Sequence, residues 1–229
     1  MNIVISGASS GIGFEVAKQL VALGHQVFAF ARNENRLKDL QKECDGDGLF
    51  IYAFDITEFD HYPELISRIS TKFSKVDVLI NNAGALVNKP FEQLNLKDFG
   101  TSFSVNTKAP FYLSQQLLPL MGEGSHILNI SSMGGYQGSS KFPGLSLYSA
   151  SKGALSILSE CMAEELGEKG IKVNCLALGA AQTEMLEKAF PGYQAPLSAN
   201  EMAEFISDFA INGHRYFNGK ILPISVSTP

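Results

Sequence analysis

The chain has 229 residues, 45% hydrophobic and 18% charged, enough apolar material for a sizeable core. Its net charge of −5, with basic residues scattered along the chain, argues against a nucleic-acid or anionic-membrane surface, and no apolar run reaches the roughly 18 residues a membrane-spanning helix needs. The three cysteines, Cys44, Cys161 and Cys175, are odd in number and far apart, which suits reduced thiols in the cytoplasm better than a disulfide framework or a zinc site. Met1 leads directly into an apolar run, so no signal peptide is expected. Without a linker, low-complexity tract or repeat, a single domain over residues 1–229 is expected.

In chain order, β-rich runs fall at Asn2 to Ser6, Gln26 to Phe30, Leu49 to Phe54, Val76 to Ile80, His126 to Ile130 and Lys172 to Leu176, with a late one at Lys220 to Ile224. Helical spacing separates them: Val16, Leu20 and Leu23; Leu37 and Leu40; Leu65, Ile66 and Ile69; a long segment from Lys97 to Leu118; and another from Tyr148 to Leu166. Strand alternating with helix predicts a doubly wound, Rossmann-like α/β fold, a mostly seven-stranded parallel sheet with helices on both faces. In such a sheet a ligand sits at the carboxyl ends of the strands, where their order reverses. The residues that follow each strand are therefore the ones to inspect.

After the first run comes Gly7-Ala8-Ser9-Ser10-Gly11-Ile12-Gly13, a glycine-rich turn opening a helix. Gly7 suits a tight turn, Gly11 lets backbone N–H groups approach a pyrophosphate, and Gly13 lets the helix pack closely on the strand. After the second run, Ala31 stands where a NAD-binding chain carries an acidic residue, and Arg32 offers a planar fork to a 2′-phosphate. This favours NADP(H), while Glu34 nearby keeps NAD(H) open. Asp55, before Ile56 and Thr57, suits either an adenine amino group or a helix N-cap. Asn81-Asn82-Ala83-Gly84 follows the fourth run with two amides and two small residues, suited to close backbone approach.

Two further features carry chemistry. Ser131 and Ser132 end the fifth run, and Tyr148 and Lys152 lie four apart on one helix face, where an ammonium favours the phenolate form of its neighbour. A second Tyr-x3-Lys pair, Tyr216 and Lys220, has no serine-ended strand before it and is taken as coincidence. Asn106 lies inside the long fourth helical segment, where a buried amide needs a partner, and Pro110 marks that helix as irregular.

Together, Gly7-x3-Gly11-x-Gly13, Asp55, Asn81-Asn82-Ala83-Gly84, Asn106, Ser132 and Tyr148-x3-Lys152 resemble the short-chain dehydrogenase/reductase family of single-domain type, from Asn2 to about Thr183. The resemblance implies hydride exchange between a nicotinamide and a carbonyl or alcohol substrate, with Tyr148 as proton donor or acceptor and Ser132 bonding the substrate oxygen. It implies that Lys152 holds the nicotinamide ribose and that Asn106 binds a relay water; a bond from Asn106 to facing main chain is the plainer alternative. The dinucleotide would be held by Gly7, Ser9, Ser10, Gly11, Ile12, Gly13, Arg32, Asp55, Ile56, Asn82, Ala83, Gly84, Gly179 and Thr183, together with Tyr148 and Lys152.

The sequence also departs from the family pattern. Leu178 replaces the proline of the family's Pro-Gly-x3-Thr segment, which removes a fixed φ and predicts a less rigid loop. The interval from Ser132 to Tyr148 is longer than usual, so that a Gly/Ser-rich loop at about 133–147 and a segment at 184–197 would wall a mostly apolar pocket with Tyr136, Phe142, Leu145, Met185, Leu186, Phe190 and Tyr193. The end of the chain from Gly219 to Pro229 lacks the glycine pair often found there. The two long helical segments are expected to form the seam of a homodimer or homotetramer. A chain of this fold that binds NADP(H) as a sensor without turnover is the rival reading.

Overall fold

The computed structural model describes residues 1–44 and 46–226. Asp45 and residues 227–229, the last of the segment lacking the glycine pair, lie outside the described residues. The elements run β1 (Asn2–Ser6), α1 (Gly11–Ala22), β2 (Gln26–Ala31), α2 (Glu34–Glu43), β3 (Leu49–Ala53), α3 (Tyr62–Lys72), β4 (Val78–Asn81), α4 (Leu96–Phe103), α5 (Ala109–Leu117), β5 (His126–Ser132), α6 (Ser146–Leu166), β6 (Lys172–Leu178), β7 (Ala181–Gln182), α7 (Glu184–Ala189), β8 (Leu197–Ser198), α8 (Ala199–Asn212) and β9 (Ile221–Ile224). Seven strands form one parallel sheet in the order β3-β2-β1-β4-β5-β6-β9, and β7 pairs with β8 in a separate two-stranded ribbon. The order reverses between β1 and β4, which opens a crevice at their carboxyl ends.

Both sheet faces are covered, so the strands are apolar on both sides. Along β1, Ile3 and Ile5 face a core shared with Val16 and Leu20 of α1, Leu37 and Leu40 of α2, and Met202 and Ile206 of α8. Val4 faces the opposite core, with Leu65 and Ile69 of α3 and Leu113 and Leu117 of α5. No helix among the described residues is long and apolar enough to cross a membrane.

The expected continuous helix from Lys97 to Leu118 is broken. Between α4 and α5, Ser104–Lys108 forms a π-helical turn, closed by the Ala109 N–H donating to the Ser104 carbonyl. Pro110 has no N–H to give the Asn106 carbonyl one turn earlier, and the widened turn accommodates that loss. Helix α8 is absent from the periodicities set out above, although Ser198-x-x-Glu201 is a readable capping box, with Ser198 Oγ accepting from Glu201 N at 3.1 Å and Glu201 Oε2 accepting from Ser198 N at 2.8 Å.

At the amino ends of the strands, fully buried His126 joins β5 to α8. Its Nδ1 lies 3.0 Å from the Ala210 carbonyl, which can only accept, so Nδ1 carries the proton and Nε2 accepts from Asn174 Nδ2 at 3.2 Å. Burial lowers the imidazole to about 4, and it lowers neighbouring His214 as well. An unfolded histidine titrates near 6.5, so between about 6.5 and 4 the unfolded chain binds a proton that the fold refuses. Stability is therefore expected to be flat in this respect above pH 7 and to fall by about 3 kcal/mol as pH drops from 6.5 to 4. Urea midpoints over that range should show the fall in the native protein and a smaller one in His126→Asn.

Candidate active site

The glycine turn leaves β1 with Gly7 at a φ of +73°, and a Cβ there would lie 2.7 Å from the Ala83 Cα, so the turn and the segment after β4 are in backbone contact. Asn82 fixes that approach. Its Nδ2 donates to the Ser6 and Gly7 carbonyls at 3.0 and 3.1 Å, and Ser6 Oγ accepts from the Asn82 and Ala83 N–H groups at 3.2 and 3.1 Å. A side chain on Gly13 would overlap Asn82 Nδ2 and the Gly7 carbonyl, so the start of α1 sits directly on this turn.

The α1 N-terminus, from Ser10 through Gly11, Ile12 and Gly13, has no side-chain cap bond at Ser10 and no acidic residue in its first turn. Its orphan N–H groups and positive dipole end are left for an external anion, which fits a dinucleotide pyrophosphate. Beyond β2, Arg32, Asn33, Glu34 and Asn35 line an open surface depression of about 510 Å³. Arg32 is 78% exposed, and its guanidinium lies 3.9 Å from Asp55. Asp55 caps no helix: its Oδ1 accepts from Thr57 N and Oγ1 at 2.9 and 2.7 Å in a local turn, while Oδ2 faces Arg32. Ile56 is buried, and its carbonyl accepts from the Tyr62 hydroxyl at 2.8 Å.

The side chains singled out for proton chemistry converge at the carboxyl end of β5. Ser132 is the last residue of that strand, and its Oγ accepts from Gly134 N at 3.2 Å. Tyr148 stands in the first turn of α6; burial raises its phenol above the usual range, and a hydrogen bond with Ser132 opposes that rise. Lys152, one turn on, is buried, and its Nζ donates to the Ile130 carbonyl at 2.7 Å. Desolvation brings its ammonium down to about 8. The charge expected to make Tyr148 more acidic is thus directed at the β5 main chain, and Ser132 is the side chain that acts on the phenol.

Ser131 has a different partner. Its Oγ donates to the Lys152 carbonyl at 2.8 Å, and Ser156 Oγ donates to the same carbonyl at 3.1 Å, tying α6 to β5 at this turn. Asn106, fully buried in the π turn, makes the plainer bond: Oδ1 accepts from Ala85 N and Nδ2 donates to the Ala85 carbonyl, both at 2.8 Å. A second Nδ2 bond reaches Ser151 Oγ at 2.9 Å. Gly84 lies beside this amide and Lys152 Nζ, each 3.6 Å from where a Cβ would stand. The second Tyr-x3-Lys pair is unlike the first, with Tyr216 74% exposed after a short 3-10 turn and Lys220 in the loop before β9.

Leu178 is the last residue of β6, two residues beyond the expected end of that run. It is buried and pairs with Ser132 on one side and Ile224 on the other, so ladder bonds hold the position where proline would fix φ. Gly179 N donates to the Ile224 carbonyl at 2.8 Å. Thr183 N-caps α7, accepting from Leu186 N at 3.2 Å, and its methyl group packs against Gly11. Residues nominated at six different strand ends are therefore brought to one edge of the sheet. Arg36, Asn88 and Glu184 also reach this edge; surface charges and a loop amide carry no periodic signal that would have marked them.

This arrangement has known counterparts. Residues 1–194 match the family model described as short chain dehydrogenase. The chain belongs to the short-chain dehydrogenase family of oxidoreductases. Gluconate 5-dehydrogenase of Gluconobacter oxydans is 35% identical over 190 residues, covering 81% of this chain and 73% of that protein. An uncharacterized oxidoreductase of Staphylococcus epidermidis is 27% identical over 205 residues, covering 89% and 87%. Among solved structures, a short-chain dehydrogenase/reductase of Serratia marcescens superposes with a TM-score of 0.88 at 27% identity, covering 97% of this chain and 95% of that one. A Burkholderia cenocepacia short chain dehydrogenase, solved in complex with NADP, gives 0.86 at 27% identity, covering 97% and 95%.

Proposed function

We propose that the protein is an NADP(H)-dependent reductase of carbonyl compounds, or the reverse alcohol dehydrogenase, working as one domain over residues 1–229. The observation that carries this reading is the meeting of Ser132, Tyr148 and Lys152 at the carboxyl end of β5, beside a glycine turn whose helix N-terminus is left open to an anion. The nicotinamide, when bound, supplies or accepts the hydride. Tyr148 donates the proton to the substrate oxygen in reduction and removes it in oxidation. Ser132 bonds the same oxygen as charge develops on it. Lys152 holds the nicotinamide ribose, and Asn106 fixes the segment after β4 against α6 through Ala85 and Ser151.

The turn from Gly7 through Ser9, Ser10, Gly11, Ile12 and Gly13 would hold the dinucleotide pyrophosphate. Asp55, Ile56, Asn82, Ala83 and Gly84 would line the adenosine side, and Gly179 and Thr183 the nicotinamide side. A mostly apolar substrate would be received between the 133–147 and 184–197 loops. Phe99, Phe111 and Ile157, exposed on α4, α5 and α6, suit the seam of a homodimer or homotetramer.

Preference for NADP(H) rests on Arg32, whose guanidinium is exposed beside the depression after β2 and, among the described residues, restrained by Asp55 at 3.9 Å. The complex of the Burkholderia relative with NADP agrees with that preference. Arg32→Ala is expected to weaken NADPH by about tenfold to a hundredfold and NADH by less than about threefold. Titration following the fluorescence of the reduced nicotinamide measures both, and equal loss for the two cofactors would show that Arg32 does not read the phosphate.

A further inference from the structure

We infer that Arg36 and Glu184 form a charged clasp that positions α7 across the cofactor crevice, an inference that rests on the dinucleotide-binding reading above. Arg36 Nη1 lies 2.8 Å from Glu184 Oε1, and Nη2 donates to Oε2 at 3.0 Å, so fork meets carboxylate with two parallel bonds. Arg36 belongs to α2, which follows β2; Glu184 opens α7, which follows β6 and the β7 ribbon. In the sheet, β2 and β6 are separated by β1, β4 and β5, so the pair joins two halves of the carboxyl edge on either side of the switch point.

Helix α7 has few ties to the body of the fold: Thr183 Oγ1 accepts from Leu186 N, and the Glu187 carboxylate accepts from Gln182 Nε2 and Gly192 N, all close in sequence. None of its six residues is buried, so no apolar face anchors it. At its far end the Ala189 carbonyl accepts from Asn88 Nδ2 at 2.7 Å, a bond to the segment after β4. The helix is thus held at its first residue by the adenosine side of the crevice and at its last by the substrate side. Thr183, immediately before Glu184, packs against Gly11, so the clasp also sets the distance between the nicotinamide-side loop and the glycine turn. Lys188 approaches the same carboxylate at a longer 3.9 Å and does not compete for its geometry. Arg36 and Glu184 are positioning residues in this account. Arg36 is engaged by a carboxylate, which leaves Arg32 as the guanidinium available to a phosphate.

The test has one arm without cofactor and one with it. In the cofactor-free protein, Arg36→Gln and Glu184→Gln should each speed hydrogen exchange of the 184–190 amides about two- to fivefold, the range set by a well-formed exposed pair, with α1 and α6 unchanged. The reversed pair, Arg36→Glu with Glu184→Arg, should restore slow exchange. In titrations at low salt, both single variants should weaken NADPH and NADH equally, about two- to fivefold, and the loss should fade as salt is raised. Unchanged exchange in both single variants would overturn the clasp. So would loss of NADPH binding alone in Arg36→Gln together with a gain in Glu184→Gln, because Arg36 would then be reading the phosphate. A native protein that bound neither dinucleotide would instead remove the dinucleotide reading, and the exchange arm would still decide whether the clasp holds α7.

Discussion

Tyr148→Phe is expected to lower kcat by about two to four orders of magnitude while changing the dissociation constant for NADPH by less than about twofold. The substitution removes one hydroxyl and keeps the ring, so packing in the first turn of α6 is preserved. That hydroxyl is the group placed to exchange a proton with a substrate oxygen, on the first turn of α6 beside the Ser132 end of β5. The loss should appear in kcat and in kcat/KM together, the pattern of an interaction made in the transition state. Single-turnover rates with saturating NADPH separate this from slow product release. A variant that kept most of its activity would refute the role given to Tyr148.

Lys152→Met should cost at least about a hundredfold in kcat/KM, because a neutral chain of similar length fills the buried space but supplies neither charge nor N–H donors. The pH profile gives an independent check. Burial lowers this ammonium to about 8, so in the free enzyme it is charged below that pH and loses its charge above it. A profile of kcat/KM reports free-enzyme groups, and it should fall about tenfold per unit as pH rises past 8. Lys152→Arg cannot deprotonate in this range and should remove that alkaline limb, whatever activity it retains. A native profile flat to pH 10 would contradict the assignment.

The fold was legible because its strands are buried on both faces and separated by helices of strong period. All seven strands of the main sheet fall where apolar runs predicted them, although β4 starts at Val78, two residues later than expected, and β5 and β6 each run two residues further. The extensions matter to the site. They carry Ser131 and Ser132 at the end of β5, as expected from the sequence, and they put Leu178 in the ladder, where the sequence alone marks only a departure from the family pattern. The π turn around Asn106 was half visible: Pro110 announced irregularity, but the turn also depends on the amide reaching Ala85, a long-range bond.

Of the site itself, the glycine turn, the Tyr148 and Lys152 pair and Ser132 could be nominated because each combines a residue type with a fixed spacing. The sequence did not tell where Lys152 would spend its hydrogen bond. A spacing of four places the two side chains on one face, but the Ile130 carbonyl that receives Nζ comes from another element. The ties across the crevice were hidden for a similar reason. Arg36 and Glu184 are 148 residues apart, and each alone looks like an ordinary solvated charge.

The central claim is hydride exchange between NADPH and a carbonyl carbon with Tyr148 handling the proton. The measurement that tests it most directly is the loss of reduced-nicotinamide absorbance with a panel of aldehydes, ketones, diketones and quinones, run with NADPH and NADH on native protein and Tyr148→Phe. The account predicts turnover of at least one carbonyl class, faster with NADPH and abolished in the variant. Tight NADPH binding with no turnover across the panel, or turnover equal in both proteins, would contradict it.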